Sequence, residues 1–378
     1  MALRDDAKAV LAELQQRGRL RTPRTFAGSM QQVLELDGRK VHNFSSNDYL
    51  GLAGDKRLVS ELASAAGTDG VGAGASRLIV GPRRVSELEA GLAAWLRVEQ
   101  VQLFNSGYAA NVGVLSTVAG PDTTVFSDEL NHASIIDGCR LSRAKVVVYR
   151  HADLSDLREK LRTDTSRRRL VVSESVFSMD GDVADVAALH ELAREYDSSL
   201  MLDEAHAVGV LGPQGRGVAA ERGVSPDILV GTLGKAFGCY GAFVAADALV
   251  IRWLWNRARS LVYSTGLPPA LAGAALQALE IIAGAEGETL RRRVHDNGQK
   301  LASALGLRVT SHIVPWLVGE DAAAVALSGE LLQEGLFIQA IRPPTVPEGS
   351  ARLRIALGTH EADALDELIA ALGRRSQR

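Results

Sequence analysis

The sequence predicts an α/β protein in which helices cover a mostly parallel sheet, followed by a smaller α+β domain. Between Val101 and Val244, short β-branched runs alternate with helical stretches, the rhythm of buried parallel strands joined by helices. Beyond Pro268-Pro269 the pattern changes to long Ala-rich and Leu-rich helices, and then to the strand-like runs IVPWLVG, FIQAIRPP and ARLRIAL. These later segments indicate a second domain.

The chain opens with a predicted helix and hairpin. Apolar residues recur at helical spacing from Asp5 to Gln16. The run QVLELDGRKVHNF then alternates around Asp37-Gly38, a pair typical of two-residue hairpin turns. A last helix is expected from Glu361 onward. We therefore predict an N-terminal arm, a large α/β domain and a C-terminal α+β domain, with the bounds 1–44, 45–265 and 266–378.

Composition narrows the classes of protein. Of the 378 residues 46% are hydrophobic, enough for substantial cores. A formal net charge of -3 provides no excess positive charge that would attract nucleic acid. Cys139 and Cys239 cannot form a disulfide framework, the N-terminus MALRDDAKAV lacks a secretory signal, and the apolar runs are far shorter than the roughly 20 residues that span a bilayer. We expect a cytoplasmic enzyme or binding protein with no nucleic-acid or membrane partner.

Chemically capable residues follow the predicted strands. Ligands of parallel sheets bind at the carboxyl ends of the strands, and a glycine at a helix start leaves backbone N-H groups open to a phosphate. The candidates at these strand ends are Gly107, Tyr108, His132, Ser178, Asp203, His206, Thr232 and Lys235.

The run Asp203-Glu204-Ala205-His206 also matches the acidic box of certain helicases. That function requires a phosphate-binding G-x-x-x-x-G-K-[ST] loop. Gly234-Lys235 is followed by alanine, and Leu229 stands where the first glycine should be, so nucleotide hydrolysis is excluded. A metal site formed by Asp203, His206 and His132 stays open as an alternative.

Pyridoxal 5'-phosphate explains the whole set. This cofactor needs a lysine for its imine, a carboxylate at the pyridine nitrogen, donors for the phenolic oxygen, an anion cradle and a flat group against the ring. Lys235 and Asp203 meet the first two needs. The remaining candidates are His206 and Ser178 for the phenolic oxygen, Gly107, Tyr108 and Thr232 for the phosphate, and His132 for stacking.

Seven motifs resemble the α-oxoamine synthases, a family of fold-type I pyridoxal-phosphate enzymes. In order they are NFSSNDYLGL (43–52), GAGASRLIVG (72–81), FNSGYAAN (104–111), NHASIIDG (131–138), ESVFSMDGD (174–182), LDEAHAVGVLGPQGRG (202–217) and TLGKAFG (232–238). The resemblance covers most of the chain. It implies a fold-type I transferase that joins an amino acid to an acyl thioester with loss of carbon dioxide, working as a homodimer with shared active sites.

The resemblance also implies roles for individual residues. Lys235 would form the imine and then remove the Cα proton, while His132 would stack on the ring and hydrogen-bond the substrate. Thr265 would reach the phosphate bound by the partner subunit. The substrate-binding residues would be Arg21, Asn47, His132, Thr345 and Arg354. Arg354 would bind the amino-acid carboxylate through two hydrogen bonds from its guanidinium group.

The late stretch IRPPTVPEGSARLRIAL (341–357) resembles the family members that condense L-alanine with a pimeloyl thioester, carried by coenzyme A or an acyl carrier protein. Two alternatives stay open. One keeps the chemistry but uses glycine, as in 2-amino-3-oxobutyrate ligase or 5-aminolevulinate synthase. The other is a non-catalytic or metal-dependent protein that retains the scaffold.

Overall fold

The structure is a computed structural model that describes residues 2–36 and 38–376. Of the predicted turn Asp37-Gly38, Asp37 lies outside the described residues. The strands are β1 Phe26–Ala27, β2 Val33–Leu36, β3 Arg39–Asn43, β4 Gln100–Phe104, β5 Thr123–Asp128, β6 Lys145–Tyr149, β7 Arg168–Glu174, β8 Ser199–Asp203, β9 Ile228–Thr232, β10 Ala242–Ala246, β11 Ile313–Gly319, β12 Leu336–Phe337, β13 Ala340–Ile341 and β14 Ala351–Ala356.

Helices occupy most of the sequence between these strands. They are α1 Ala2–Gln16, α2 Lys56–Asp69, α3 Arg83–Leu96, α4 Gly107–Val118, α5 Ala133–Ser142, α6 Leu154–Thr163, α7 Val186–Glu195, α8 Val218–Glu221, α9 Ala248–Arg257, α10 Arg259–Val262, α11 Pro269–Ala283, α12 Ala285–Leu305, α13 Asp321–Gln333 and α14 Ala362–Ser376, with a 3-10 turn at Pro213–Gly215. Within the described residues, none is long and apolar enough to cross a membrane.

The described chain divides into two compact units. The larger contains Asn47–Ser178 and Asp182–Val294, and the smaller contains Met179–Gly181 with the segments up to Ser46 and from His295 onward. The division therefore lies within α12, whereas the predicted boundary lies between residues 265 and 266. The long apolar helix α11 packs against α2 and α3 and so belongs to the larger unit.

A seven-stranded sheet forms the centre of the larger unit, in the order β4-β10-β9-β8-β7-β5-β6. β10 runs antiparallel to both of its neighbours, and the other pairs are parallel. β8, β9 and β10 are buried almost throughout, which explains their continuous apolar sequences. Asp203 and Glu174 are register partners at the carboxyl ends of β8 and β7.

Two helix starts of this unit that lie at strand ends are capped by polar side chains. Ser106 accepts from Ala109 N at the start of α4, and His132 accepts from Ser134 N at the start of α5. Such caps satisfy N-H groups that the first helical turn leaves without a backbone partner. They also place the first residues of α4 and α5 at the strand ends where the candidate residues lie.

The smaller unit contains two sheets, in the orders β1-β2-β3-β12 and β11-β14-β13. Its main core includes Phe44, Leu301, Leu353, Leu365 and Leu368, all fully buried. β14 is buried at every position, including the arginines of ARLR. The predicted α/β sheet with an additional smaller α+β unit is confirmed.

Candidate active site

Lys235 lies in the loop between β9 and β10. Backbone hydrogen bonds from Leu233 N to Gly241 O and from Cys239 N to Leu233 O, both 2.9 Å, close this loop. Gly238 has a φ of +64°, and a Cβ there would lie 2.4 Å from Ala53 N. Only glycine fits both conditions, and the loop that carries Lys235 consequently packs directly on the segment around Ala53.

A chain of hydrogen bonds extends from Lys235. Its Nζ lies 2.8 Å from His206 Nε2, and His206 Nδ1 lies 2.7 Å from the hydroxyl of Tyr49. That hydroxyl donates to Asn47 Oδ1 at 3.0 Å. His206 and Tyr49 are buried, while Lys235 and Asn47 are half-buried. These hydrogen bonds link Lys235 and His206, which are predicted to bind the cofactor, with Asn47, which is predicted to bind the substrate.

Asp203 is buried at the end of β8, and both of its carboxylate oxygens accept hydrogen bonds. Asn111 Nδ2 donates to Oδ2 at 2.7 Å, and Ala205 N donates to Oδ1 at 2.8 Å. Asn111, on α4, also donates to Ser134 Oγ at 2.9 Å. The carboxylate thus has a fixed orientation, as a partner for a protonated ring nitrogen requires.

The ring of His132 is oriented by the start of α5. Ser134 N donates to His132 Nδ1 at 3.2 Å, and Ser134 Oγ lies 2.7 Å from the same atom. Since Nδ1 accepts, the proton of the neutral imidazole is on Nε2. His132 reaches solvent, yet partial desolvation lowers the pKa of its imidazole against the opposing effect of Asp203. The neutral ring can therefore donate from Nε2.

A second carboxyl group, Glu174, lies beside Asp203. It is fully buried, and its Oε1 accepts from the backbone N of His132 at 2.6 Å. Burial, with the nearby charge of Asp203, raises the pKa of Glu174. Glu174 therefore favours its neutral form more than an exposed carboxyl group does, and its Oε1 holds the backbone N of His132 in place.

The start of α4 is open to a ligand. A Cβ built on Gly107 would meet no atom within 4 Å, and the neighbouring Tyr108 is exposed, with its hydroxyl donating to Asp137 Oδ2 at 2.6 Å. The space beside Gly107 is therefore open at the positive end of the helix. This geometry suits a phosphate.

The other predicted cofactor residues occupy different surroundings. Thr232 is buried, and its hydroxyl donates to Gly241 O at 3.0 Å and accepts from Gly234 N at 3.1 Å. Ser178 is half-buried in the turn after β7. Thr265 is exposed, and its carbonyl accepts from Asn105 Nδ2 at 2.8 Å. Thr232 thus shapes the loop of Lys235 through backbone groups.

Three predicted substrate residues lie in the smaller unit. Arg354 is buried on β14. Arg21 and Thr345 are exposed, and Arg21 Nη2 donates to Thr345 Oγ1 at 3.2 Å. Both line a cavity of about 600 Å³, together with Arg24 and Arg342. Asn47, which is also predicted to bind substrate, belongs to the larger unit.

Sequence reasoning did not single out Tyr49, Asn111 or Glu174, although each lies inside a quoted motif. Asn111 had a usable signal, since it is an amide side chain among the small and apolar residues that surround it in helix α4. Glu174 had a similar signal, since it ends the β-branched run of β7, just as Asp203, its register partner, ends β8. Nothing in the local sequence indicates that Tyr49 reaches His206, because their positions differ by 157.

The arrangement fits pyridoxal phosphate. An amine on Lys235, a buried and doubly hydrogen-bonded carboxylate on Asp203, a neutral imidazole donor on His132 and the open helix start at Gly107 are the donor set that this cofactor needs. The metal alternative has less support, because no group of three or more His, Cys, Asp or Glu residues in the described ranges is arranged to hold a metal ion.

Comparison with known proteins gives the same class. The model of the family "Aminotransferase class I and II" matches residues 39–372, and the chain belongs to this family. A serine palmitoyltransferase from S. paucimobilis, solved with a bound PLP-myriocin aldimine, has a TM-score of 0.92 at 26% identity, with 99% of this chain and 97% of that chain covered.

Within that family, the chain belongs with the 8-amino-7-oxononanoate synthases. It is 46% identical over 376 residues to the synthase of Anaeromyxobacter dehalogenans, covering 96% of this chain and 94% of that protein. The solved synthase of Francisella tularensis has a TM-score of 0.77 at 27% identity, with 89% and 98% covered. The expected fold type, pyridoxal phosphate cofactor and acyltransferase class are confirmed.

Proposed function

We propose that the protein condenses L-alanine with a pimeloyl thioester to form 8-amino-7-oxononanoate, releasing carbon dioxide and a thiol, as a step of biotin synthesis. One observation carries the proposal: the Lys235 amine lies 2.8 Å from His206 in the strand-end set that contains Asp203. Relatives at 46% and 45% identity bear the corresponding name.

Lys235 and Asp203 have complementary tasks. When bound, pyridoxal phosphate supplies an electron sink for a carbanion at the alanine Cα. Asp203 keeps the pyridine nitrogen protonated, because its carboxylate is held in one orientation by Asn111 and Ala205 N. Lys235 would hold the cofactor through its Nζ and would act as the base that removes the alanine Cα proton. Ser178 would donate to the phenolic oxygen, and His206 would lie beside it.

His132 would stack on the ring and would direct a proton to the reacting carbonyl. Its Nδ1 accepts from Ser134 N, so the Nε2-H of the neutral imidazole is available to the substrate oxygen. The lowered pKa of His132 keeps this form dominant near pH 7. The start of α4 at Gly107 and Tyr108 receives the phosphate.

The two substrates have separate proposed contacts. Arg354 would bind the alanine carboxylate through bidentate hydrogen bonds, and Asn47 is a further proposed substrate residue of the larger unit. The anionic acyl donor binds near Arg21 and Thr345, whose cavity also contains Arg342. Among the described residues, Arg21 and Arg342 form no ion pair with a carboxylate, which leaves their charge for the donor. Coenzyme A and an acyl carrier protein both supply phosphate for such a site.

We further infer a homodimer. Val71, Leu78, Ile79 and Val80 are 57 to 82% exposed, and such a concentration of large apolar side chains is typical of an interface. Thr265, also exposed, is free to approach the phosphate of the partner subunit. Light scattering of the purified protein should give twice the mass of one chain.

A donor panel tests the proposed activity. Alanine, glycine and serine are each combined with pimeloyl, acetyl and succinyl thioesters, on coenzyme A and on a carrier protein, and thiol release is followed. Alanine with a pimeloyl thioester should turn over fastest. Faster turnover with glycine and a short acyl group would reject this assignment in favour of a glycine-using synthase and leave the chemistry of Lys235 unchanged.

A further inference from the structure

Tyr49 holds a buried position beside the lysine. Its side chain is 1% exposed, and its ring lies 6.1 Å from that of His206, tilted by 53°. Asp48 fixes the same segment by accepting from Leu52 N at 2.9 Å and Ala53 N at 3.0 Å. Because Ala53 packs on Gly238, Tyr49 is held in register with the loop of Lys235.

The direction of the hydrogen bonds follows from the donors available. Tyr49 has one hydroxyl proton, and it is donated to Asn47 Oδ1, an amide oxygen that can only accept. The Tyr49 oxygen must therefore accept from His206 Nδ1-H at 2.7 Å. With its proton on Nδ1, neutral His206 presents a lone pair on Nε2 to Lys235 Nζ at 2.8 Å.

This direction matters for the reactivity of the amine. When Nε2 accepts, Lys235 uses an N-H to bond His206, and the nitrogen lone pair stays available to attack a carbonyl carbon. If the His206 proton were on Nε2, it would be donated to that same lone pair and would compete with the attack.

We propose that Tyr49 is a positioning residue that fixes the tautomer of His206 and thereby keeps the Lys235 amine ready to capture the cofactor aldehyde. This role rests on the proposed function only in that Lys235 is the imine-forming residue. It requires no proton transfer by Tyr49, whose hydroxyl acts through the hydrogen bonds that it already makes.

The experiment compares wild type with Tyr49→Phe and with Tyr149→Phe. Tyr149 is equally buried and lies outside this chain of hydrogen bonds, so its variant controls for loss of a buried hydroxyl. In cofactor-free protein labelled with 15N-histidine, NMR should show His206 protonated on Nδ1 in wild type and Tyr149→Phe, and a mixture of tautomers in Tyr49→Phe. Urea unfolding midpoints report the integrity of each variant.

Stopped-flow mixing with pyridoxal phosphate gives the second readout. Capture, followed by the visible absorbance of the imine, should slow about fivefold in Tyr49→Phe, the effect of one lost hydrogen bond, and stay at the wild-type rate in Tyr149→Phe. Wild-type His206 protonated on Nε2, or equal capture rates in all three proteins, would overturn the proposal. Absence of any imine in wild type would instead reject the proposed function.

Discussion

Asn111 Nδ2 donates to Asp203 Oδ2 across 2.7 Å of buried space. The donor comes from α4 and the acceptor from the end of β8. Under the proposed roles, the helix whose start would receive the phosphate would also orient the carboxylate that pairs with the ring nitrogen. A single helix would then position groups at both ends of the cofactor.

Replacing Asn111 with alanine should weaken cofactor binding about tenfold, because a hydrogen bond to a charged group contributes about 1.5 kcal/mol or more. Titration of cofactor-free protein with pyridoxal phosphate measures the change. Asn256→Ala is the control, since Asn256 is exposed and its amide donates to Arg252 O within α9. Wild-type affinity in Asn111→Ala would show that Asp203 needs no such support.

Lys235→Ala should bind pyridoxal phosphate without forming an imine and should lose turnover, because the substitution removes the amine that lies beside His206. Reduction with sodium borohydride followed by peptide mapping checks for the adduct, which wild type should carry on Lys235. Lys300→Ala, which removes a surface ion pair with Asp366, should behave as wild type. Substantial turnover in Lys235→Ala would contradict the assigned base.

Gly238→Ala should destabilise the protein by about 2 kcal/mol or more, since alanine at positive φ is strained and its Cβ would lie 2.4 Å from Ala53 N. Cofactor capture should slow in parallel as the Lys235 loop moves. Urea unfolding and stopped-flow absorbance measure the two effects. Gly67→Ala, in α2 with open space around it, should instead stabilise by up to about 1 kcal/mol.

Both cysteines should resist alkylation in the folded protein. Burial, with a contribution from Asp48, raises the pKa of Cys239 to about 12, and burial raises that of Cys139 to about 11. At pH 8 the reactive thiolate is therefore scarce in both. Mass spectrometry after iodoacetamide should show no adduct in native buffer and two in urea. Rapid labelling of Cys239 alone would indicate that its segment opens.

His151 should stabilise the larger unit in a pH-dependent way. Burial lowers its pKa, but hydrogen bonds to Asp128 at 2.9 Å and Asp182 at 3.0 Å outweigh this effect and raise it to about 10. The folded pKa exceeds the unfolded value of about 6.5, so the contribution is complete below that pH and is lost as the pH rises through 10.

His151→Ala should accordingly cost about 2 kcal/mol at pH 6 and progressively less toward pH 10. Urea unfolding at pH 6, 8 and 10 measures the difference, with His190→Ala as the matched control. A destabilisation that stays constant with pH would mean that His151 acts through packing, for which its edge-on contact with Phe177 at 4.4 Å is the candidate.

The sequence predicts the strand-end residues because each follows a short β-branched run, and parallel strands bring their carboxyl ends to one edge. It does not predict Tyr49, whose partner is distant in sequence, or the position of α11, whose apolar face packs on α2 and α3 of the larger unit. Both depend on tertiary contacts that no local pattern encodes. The individual roles of the site residues stay predictions.

The register between Glu174 and Asp203 constrains how this enzyme can be re-engineered. Side chains alternate between the two faces of a sheet, so one residue inserted upstream in β8 would turn the Asp203 carboxylate to the opposite face. Two inserted residues would restore the face but displace the group by about 7 Å. Designers seeking new acyl specificity should therefore exchange loops and leave strand lengths untouched.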